Sequence, residues 1–181
     1  MKQLIFIVTL FMSTNLGLTI DFGTEKAGDD WRIVNDGVMG GLSTSKTTIL
    51  ENSIVFNGEV SLENNGGFAS IRTLITAGAL SDCKTMTMRF KSNSTDRTFG
   101  LSLKNSQQYF IPYYKYTFTP KTTDWDTISV NLSDFKHYRI SEVIGNTMPI
   151  KALDDVYNIA LIISDKKAGN FNIEIDYIKF E

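Results

Sequence analysis

Apolar residues recur at every second position through most of this chain, which is the periodicity of a β-strand with one buried face. Residues 85–90, 99–104 and 127–132 each place apolar side chains on one face and mostly polar side chains on the other. Gly, Asn, Asp and Ser separate these runs, and those residues favour turns between strands. The pattern predicts an all-β chain with about nine or ten strands.

Further segments of the sequence specify the predicted β-fold more closely. Residues 159–163 are apolar without a break, which predicts a central strand covered on both faces. In residues 171–180 the apolar positions change sides next to Tyr177, which predicts a β-bulge there. The best helix candidates, residues 141–144 and 152–156, are too short for the crossover helices of a parallel sheet. The expected fold is therefore a mostly antiparallel sandwich or barrel.

The N-terminal segment predicts a secretory leader. Met1 and Lys2 precede an apolar run over residues 4–12, which is far shorter than the ~20 residues that a membrane-spanning helix needs. We therefore assign residues 1–19 to a signal peptide and residues 20–181 to a single β-sandwich domain, and we expect a periplasmic or secreted protein. The segment lacks an Ala-x-Ala cleavage site, so the alternative is an ordinary first strand in a cytoplasmic protein.

The amino-acid composition and the absence of common motifs argue against several classes of function. Hydrophobic residues make up 42% of the chain, and 18 Lys and Arg stand against 20 Asp and Glu, so no nucleic acid partner is expected. Cys83 and His137 are the single cysteine and histidine, which removes intrachain disulfides and the usual zinc sites. No P-loop or Gly-x-Ser-x-Gly motif occurs. We expect no metal, no cofactor and no enzymatic activity. Hydrolysis by paired carboxylates stays open on composition alone, and so does a structural calcium held by loop oxygens, although no EF-hand-like spacing supports it.

The densest motif lies between Trp31 and Ser43. An Asn-Asp-Gly step and two further glycines in this segment require a backbone that turns sharply or approaches another segment closely. Asp36 can accept hydrogen bonds from nearby backbone amides, and we expect Met39 to be tucked beneath the loop as a plug. We read the motif as a scaffold corner, formed by Trp31, Asn35, Asp36, Gly37, Met39, Gly40 and Gly41.

A second glycine turn opens the strand that carries Arg72. Phe68, Ser70, Arg72 and Leu74 alternate and therefore project to one side of that strand. Arg72 is predicted either to form a structural ion pair, with Asp36 and Asp176 as candidate partners, or to line a ligand-facing surface. The motif residues here are Asn65, Gly66, Gly67, Phe68 and Arg72.

Aromatic residues crowd the region from Tyr109 to Phe118, and Trp125 follows shortly after. Exposed rings can stack on sugars or on peptide partners, whereas buried rings fill the core of a sandwich. If the rings are exposed, the candidate partner surface consists of Arg72, Tyr114, Tyr116 and Trp125.

Taken together, the two motifs resemble a known family. The segments from Trp31 to Ser43 and from Glu59 to Arg72 look like the signature of the NADH:ubiquinone oxidoreductase (complex I) intermediate-associated protein family. The resemblance continues through Trp125 and residues 131–135 to residues 169–178. It implies a galactose-binding-like jelly-roll fold and the role of a non-catalytic assembly factor for respiratory complex I. The chain departs from the family pattern at Thr95-Asp96-Arg97, where relatives tend to carry Asp-Gly-Arg, and in the loop after residue 135, which lacks the expected glycine.

Two functional hypotheses follow. The first is a non-enzymatic, chaperone-like module that binds a protein partner or assists assembly. The second is a carbohydrate-binding module of an exported protein, which would use one sheet face and its aromatic rings.

Overall fold

The computed structural model describes residues 17–25, 27–108 and 111–181, so most of the predicted leader lies outside the described residues. The described chain forms 13 strands, all paired antiparallel, in two sheets. No helix in the described ranges is long and apolar enough to cross a membrane. The helical segments present are short 3-10 turns at Asp36–Met39, Glu63–Asn65, Leu132–Asp134 and Ile150–Asp155.

One sheet has six strands in the order β3-β4-β13-β6-β9, and β1 also pairs with the long strand β13. Its strands are β1 (Leu18–Asp21), β3 (Thr44–Ile49), β4 (Ile54–Val60), β6 (Thr85–Ser92), β9 (Asp126–Asn131) and β13 (Gly169–Phe180).

The other sheet has seven strands in the order β11-β10-β8-β7-β12-β5-β2. Its strands are β2 (Arg32–Ile33), β5 (Ala69–Leu74), β7 (Phe99–Lys104), β8 (Tyr113–Phe118), β10 (Lys136–Arg139), β11 (Glu142–Gly145) and β12 (Asn158–Ile163).

The core lies between the two sheets and is filled by the inward positions of each alternating strand. In β6 the side chains of Met86, Met88 and Phe90 are buried, and the residues between them are half-buried. Rings from both sheets meet in this layer, with the Phe90 and Phe118 centroids 4.9 Å apart. The predicted all-β, mostly antiparallel sandwich is confirmed.

Strand β12 and the end of β13 match their sequence patterns. Strand β12 pairs with β7 on one side and β5 on the other, as expected for the central strand at residues 159–163. The register between β13 and β6 shifts between Ile175 and Tyr177, which confirms the bulge.

The strand count and one helix candidate differ from expectation. Residues 142–145 form strand β11, which pairs with β10 through a turn where Ile140 has a positive φ of 58°. The other helix candidate, residues 152–156, coincides largely with the 3-10 turn at Ile150–Asp155. The strands beyond the expected number include short edge strands of two to four residues, which are too short to show an alternating pattern.

Strand β1 overlaps the segment assigned to the leader. Leu18 pairs with Phe180 and Thr19 pairs with Lys179 in the register of β1 with β13. These two residues belong to the sheet in this structure, while the assignment of residues 1–19 to a signal peptide stays a prediction.

A buried ion pair joins two loops at one end of the sandwich. Arg97 is almost fully buried and binds Asp165 through Nε and Nη2, at 2.8 and 3.1 Å. Its remaining N–H groups donate to the backbone carbonyls of Lys167, Gly169 and Asn170 at 2.8–3.1 Å. The guanidinium is therefore fully hydrogen-bonded, which is the condition under which a buried charge is stable.

We expect Arg97→Met to lower the free energy of unfolding by about 3–5 kcal/mol, because it leaves the buried Asp165 carboxylate without its cation. Urea denaturation followed by circular dichroism measures this change. The matched control is Lys179→Met, which removes the exposed ion pair with Glu181 and is expected to cost less than about 1 kcal/mol. Equal losses in the two variants would contradict a structural role for the Arg97 pair.

Candidate functional site

The two glycine motifs meet at the carboxylate of Asp36, which is fully buried. Its Oδ1 accepts the backbone N–H of Ser43 at 2.9 Å, and its Oδ2 accepts the Ser43 hydroxyl. Oδ2 also accepts the backbone N–H groups of Gly67 and Phe68, at 2.6 and 3.1 Å. The predicted hydrogen bonding by Asp36 is therefore present, and its partners come from both motifs.

Close approach to Asp36 explains two of the glycines. A Cβ on Gly41 would collide with the Asp36 carboxyl group, and a Cβ on Gly66 would lie 2.7 Å from its Oδ2. Gly40 ends the 3-10 turn with a φ of 91°, a left-handed conformation that favours glycine. In contrast, Gly37 has open space around its Cα. The motif glycines near Asp36 thus serve the corner itself.

Opposing effects set the pKa of Asp36. Burial raises the pKa of the carboxyl group, but the hydrogen bonds from Ser43, Gly67 and Phe68 outweigh it, so the pKa lies below its ordinary value. The folded state therefore prefers the ionised carboxylate.

Other residues of the motifs surround this corner. Trp31 is buried against Phe22, with ring centroids 5.7 Å apart. Asn35 accepts a hydrogen bond from the Ser45 hydroxyl at 2.8 Å, and Asn65 adopts a positive φ of 57° in the second turn. The expected plug is wrong, because Met39 is 49% exposed on the outside of the loop.

Arg72 lies on the outer face of the seven-stranded sheet, and its Nε donates to the Ser70 hydroxyl at 3.1 Å. The two carboxylates expected as ion-pair partners are engaged elsewhere. Asp36 binds the corner described above, and Asp176 forms an ion pair with Arg89 in the other sheet.

The candidate surface of Arg72, Tyr114, Tyr116 and Trp125 does not come together. Tyr114 is only 7% exposed and stacks on His137, with ring centroids 4.7 Å apart. Tyr116 is half-buried and packs against Phe135 at 5.8 Å. Both tyrosines occupy the inward positions of β8, so they fill the core instead of forming a surface.

Trp125 lies over the outer face of the six-stranded sheet. The guanidinium of Arg89 is 4.4 Å and the Lys91 ammonium 4.9 Å from the centre of its ring. Both cations also have carboxylate partners, because Arg89 pairs with Asp176 and Lys91 pairs with Glu174 at 2.8 Å. The charges on this face are therefore locally balanced.

The outer face of the seven-stranded sheet has a different character. The ammonium group of Lys104 is 5.3 Å from the Tyr113 ring centre, and that of Lys115 is 4.2 Å from the Tyr138 ring centre. The two tyrosine rings stack with centroids 5.9 Å apart. We call this cluster the tyrosine–lysine face and define it by Lys104, Tyr113, Lys115, Lys136, Tyr138 and Asn158.

Burial affects the lysines of the tyrosine–lysine face. Burial lowers the pKa of Lys104, and the positive charge of Arg72 lowers it further. Burial also lowers the pKa of Lys115, whose stem lies over Gly100, where an added Cβ would come within 2.9 Å of the lysine. Glycine at this position therefore gives the Lys115 side chain room to lie along the sheet.

Most of this face was missed by sequence reasoning, which placed the exposed aromatics at Tyr114 and Tyr116. A signal was nevertheless present. Strands β5, β7, β8, β10 and β12 contain lysines and arginines but no Asp or Glu, although acidic residues outnumber basic ones in the whole chain. Charge counted strand by strand would have pointed to this sheet.

The family model described as complex I intermediate-associated protein 30 matches residues 20–175. The chain belongs to this family. The resemblance read from the two motifs is thereby confirmed, and those motifs are the segments that meet at Asp36. No curated protein matches the chain in sequence.

Solved structures share the fold of this family member. A family 11 carbohydrate-binding module from Clostridium thermocellum, in complex with a beta-1,3-1,4-mixed-linked tetrasaccharide, has a TM-score of 0.65 at 16% identity, over 90% of this chain and 94% of that one. The agarase AgWH50C has a TM-score of 0.58 at 9% identity, over 89% of this chain and 24% of the agarase. At these identities the likeness shows the fold, a galactose-binding-like β-sandwich.

We expect Asp36→Asn to lower the free energy of unfolding by roughly 2–4 kcal/mol at pH 7, because buried N–H donors lose a charged acceptor. The folded pKa of Asp36 is depressed, so its contribution is complete well above the unfolded value of about 3.9 and is lost as the pH falls through the folded pKa. The free energy of unfolding of the Asp36→Asn variant should therefore fall less than that of the wild type as the pH decreases through this range.

Urea denaturation at a series of pH values measures both effects. The control is Asp124→Asn, which changes an exposed carboxylate and should alter the free energy of unfolding by less than about 0.5 kcal/mol. If the free energy of unfolding of Asp36→Asn fell with decreasing pH as steeply as that of the wild type, Asp36 would not be the source of this pH dependence.

Proposed function

We propose that this family member is a non-catalytic binding or assembly module, and that the tyrosine–lysine face is its main binding surface. One observation carries the proposal: this face presents stacked tyrosines beside lysines that no carboxylate of the described residues pairs with. The domain around it is a packed scaffold, because the two sheets enclose a continuous core of buried apolar side chains.

A non-enzymatic role is supported by how the acidic residues are used. Asp36 is enclosed by the corner, and Asp176 pairs with Arg89, so neither is placed to act with a second carboxylate. Among the described residues, no three His, Cys, Asp or Glu side chains are grouped to hold a metal ion. The family and the carbohydrate-binding-module fold are also non-catalytic.

The ligand class that fits the face best is carbohydrate. Tyrosine rings offer apolar planes on which sugar rings stack, and neighbouring polar groups can bind hydroxyls. Ser102 and Ala160 lie between Arg72 and Lys115 in the register of this face, and both are small and buried, so the longer side chains around them form the accessible surface. The core of a protein–protein interface, by contrast, is depleted of charge. Fold similarity to modules solved with bound saccharide supports the same ligand class.

Affinity electrophoresis in gels that contain soluble polysaccharides tests this proposal. We expect at least one polysaccharide to retard the full chain, and Tyr138→Ala to reduce the retardation at least about tenfold, equivalent to about 1.4 kcal/mol. Trp125→Ala is the matched control, because this ring lies on the opposite sheet. Loss of binding in Trp125→Ala alone would move the site to the six-stranded sheet, and the absence of retardation by every polysaccharide would refute a carbohydrate ligand.

A protein partner is the second candidate, and a specific feature favours it. Large apolar side chains are exposed around the Asp36 corner: Val38 is 72%, Leu42 52% and Leu62 46% exposed, beside Met39. A contiguous apolar patch on a soluble domain often marks a protein interface. Family membership supports an assembly role for this corner, in a partner complex outside the cytoplasm if the leader directs export.

Capture of partners from the exported fraction of the native host tests this second candidate. We expect a protein that co-purifies with the wild-type chain to be lost from Val38→Ser/Leu42→Ser, because the variant removes apolar contact area. Mass spectrometry of the same sample gives the mature N-terminus and so checks the predicted leader. A partner retained equally by the double variant, or a chain recovered alone with its N-terminus intact, would contradict the candidate.

A further inference from the structure

Charge is segregated between the two sheets. The five strands β5, β7, β8, β10 and β12 contain Arg72, Lys104, Lys115, Lys136 and Arg139 and no acidic residue. On the six-stranded sheet, in contrast, Arg89 and Lys91 pair with Asp176 and Glu174. The outer face of these five strands therefore carries Arg72, Lys104, Lys115 and Lys136 and no acidic residue, whereas Arg139 alternates to the other side and lies opposite Glu142 of β11.

Two of these cations repel one another across neighbouring strands. Lys115 lies directly opposite Lys136 in the register of β8 with β10, and like charges in opposite positions destabilise a sheet. Lys115 is also only 7% exposed. None of the ion pairs among the described residues includes Lys104, Lys115 or Lys136. The stem of Lys115 is therefore buried and its ammonium group has no carboxylate partner, and perturbed charged groups of this kind are typical of binding sites.

A polar group without a partner lies in the same cluster. Asn158 is 8% exposed, and its Nδ2 donates to the Thr73 carbonyl at 2.9 Å. Its Oδ1 is buried and has no hydrogen-bond partner among the described residues. Asn158 lies opposite Lys104 in the register of β12 with β7, so this unsatisfied acceptor and the lysine belong to the same face.

We propose that the tyrosine–lysine face binds an acidic polysaccharide, whose carboxylate or sulfate groups pair with Lys104, Lys115 and Lys136. The inference rests on the proposed function and specifies its ligand. The three lysines stand on β7, β8 and β10, which are successive strands of the sheet about 4.8 Å apart, so a chain laid across the strands meets them in turn. The orphaned Asn158 oxygen and the tyrosine rings supply the contacts to hydroxyls and sugar planes that distinguish a saccharide from a simple anion.

An acidic ligand also offsets the repulsion between the lysines of the tyrosine–lysine face. Each bound anion places negative charge between cations that otherwise repel, and it does so where burial weakens screening by solvent. The lowered pKa values of Lys104 and Lys115 are consistent with charges that lack a compensating partner in the free protein.

Isothermal titration calorimetry of the full chain tests the inference with three probes: polygalacturonate oligomers, a sulfated galactan and a neutral mixed-linked β-glucan. We expect at least one acidic probe to bind at least about tenfold more tightly than the neutral probe, and its affinity to fall as salt rises from 0.05 to about 0.5 M. Comparison of the first two probes separates carboxylate from sulfate recognition.

Substitutions assign the binding to the face. We expect Lys104→Met/Lys136→Met to weaken acidic binding at least about tenfold, whereas Lys46→Met, an exposed lysine on β3 of the other sheet, leaves it unchanged. Lys115→Met should weaken binding by a similar factor and raise Tm by about 2–4 °C, because it removes a partly desolvated charge and its cross-strand repulsion with Lys136. A purely structural lysine would lower Tm when replaced.

Each contrary result has a distinct meaning. Equal affinity for neutral and acidic probes, lost in the double variant, would overturn the acidic ligand but leave the proposed carbohydrate binding intact. An equal loss of binding in Lys46→Met would show general charge attraction and overturn the inference. If no probe binds and the polysaccharide gels do not retard the chain, the proposed carbohydrate function fails together with it.

Discussion

The hydrogen bonds to the buried Asp36 carboxylate hold the corner from which β3 of one sheet and β5 of the other begin. Ser43, which donates through its backbone and its hydroxyl, immediately precedes β3 of the six-stranded sheet. Phe68, which donates through its backbone, immediately precedes β5 of the seven-stranded sheet. A buried carboxylate must be surrounded by donors, so the two strand entries are drawn to one point. The glycines at 41 and 66 follow from this requirement, because no side chain fits there.

The sequence predicts the parts of the fold that depend on local pattern. Alternation places Met86, Met88 and Phe90 in the core because the period of a strand is a property of its own backbone. The turn at Asn35 and Asp36 is predictable for the same reason. The donors at Gly67 and Phe68 are not, since they lie more than 30 residues away and reach Asp36 only through the tertiary fold.

The errors at the candidate surface have a different physical origin. Strand β8 carries an aromatic or long side chain at nearly every position, so the sequence does not show which of its faces is buried. The register with the neighbouring strands decides this, and it turns Tyr114 inward and Tyr113 outward. The buried ion pair of Arg97 could not be predicted either, because its partner Asp165 lies in a distant polar loop. The composition of that loop is typical of an exposed segment.

The outer faces of the two sheets differ in whether their cations have carboxylate partners, and this difference bears on function. On the six-stranded sheet, Arg89 and Lys91 each have a carboxylate and share the Trp125 ring, so the free protein already satisfies those charges. On the seven-stranded sheet Lys104 and Lys115 have tyrosine rings as neighbours and no carboxylate partner, and a cation–π contact compensates an ammonium charge less fully than a carboxylate does. The domain therefore has carboxylate-paired cations around Trp125 on one face and lysines without carboxylate partners beside tyrosines on the other. Because proteins are only marginally stable, locally unfavourable arrangements are expected mainly at functional sites, so the cost of the face with unpaired lysines is best explained by a bound partner.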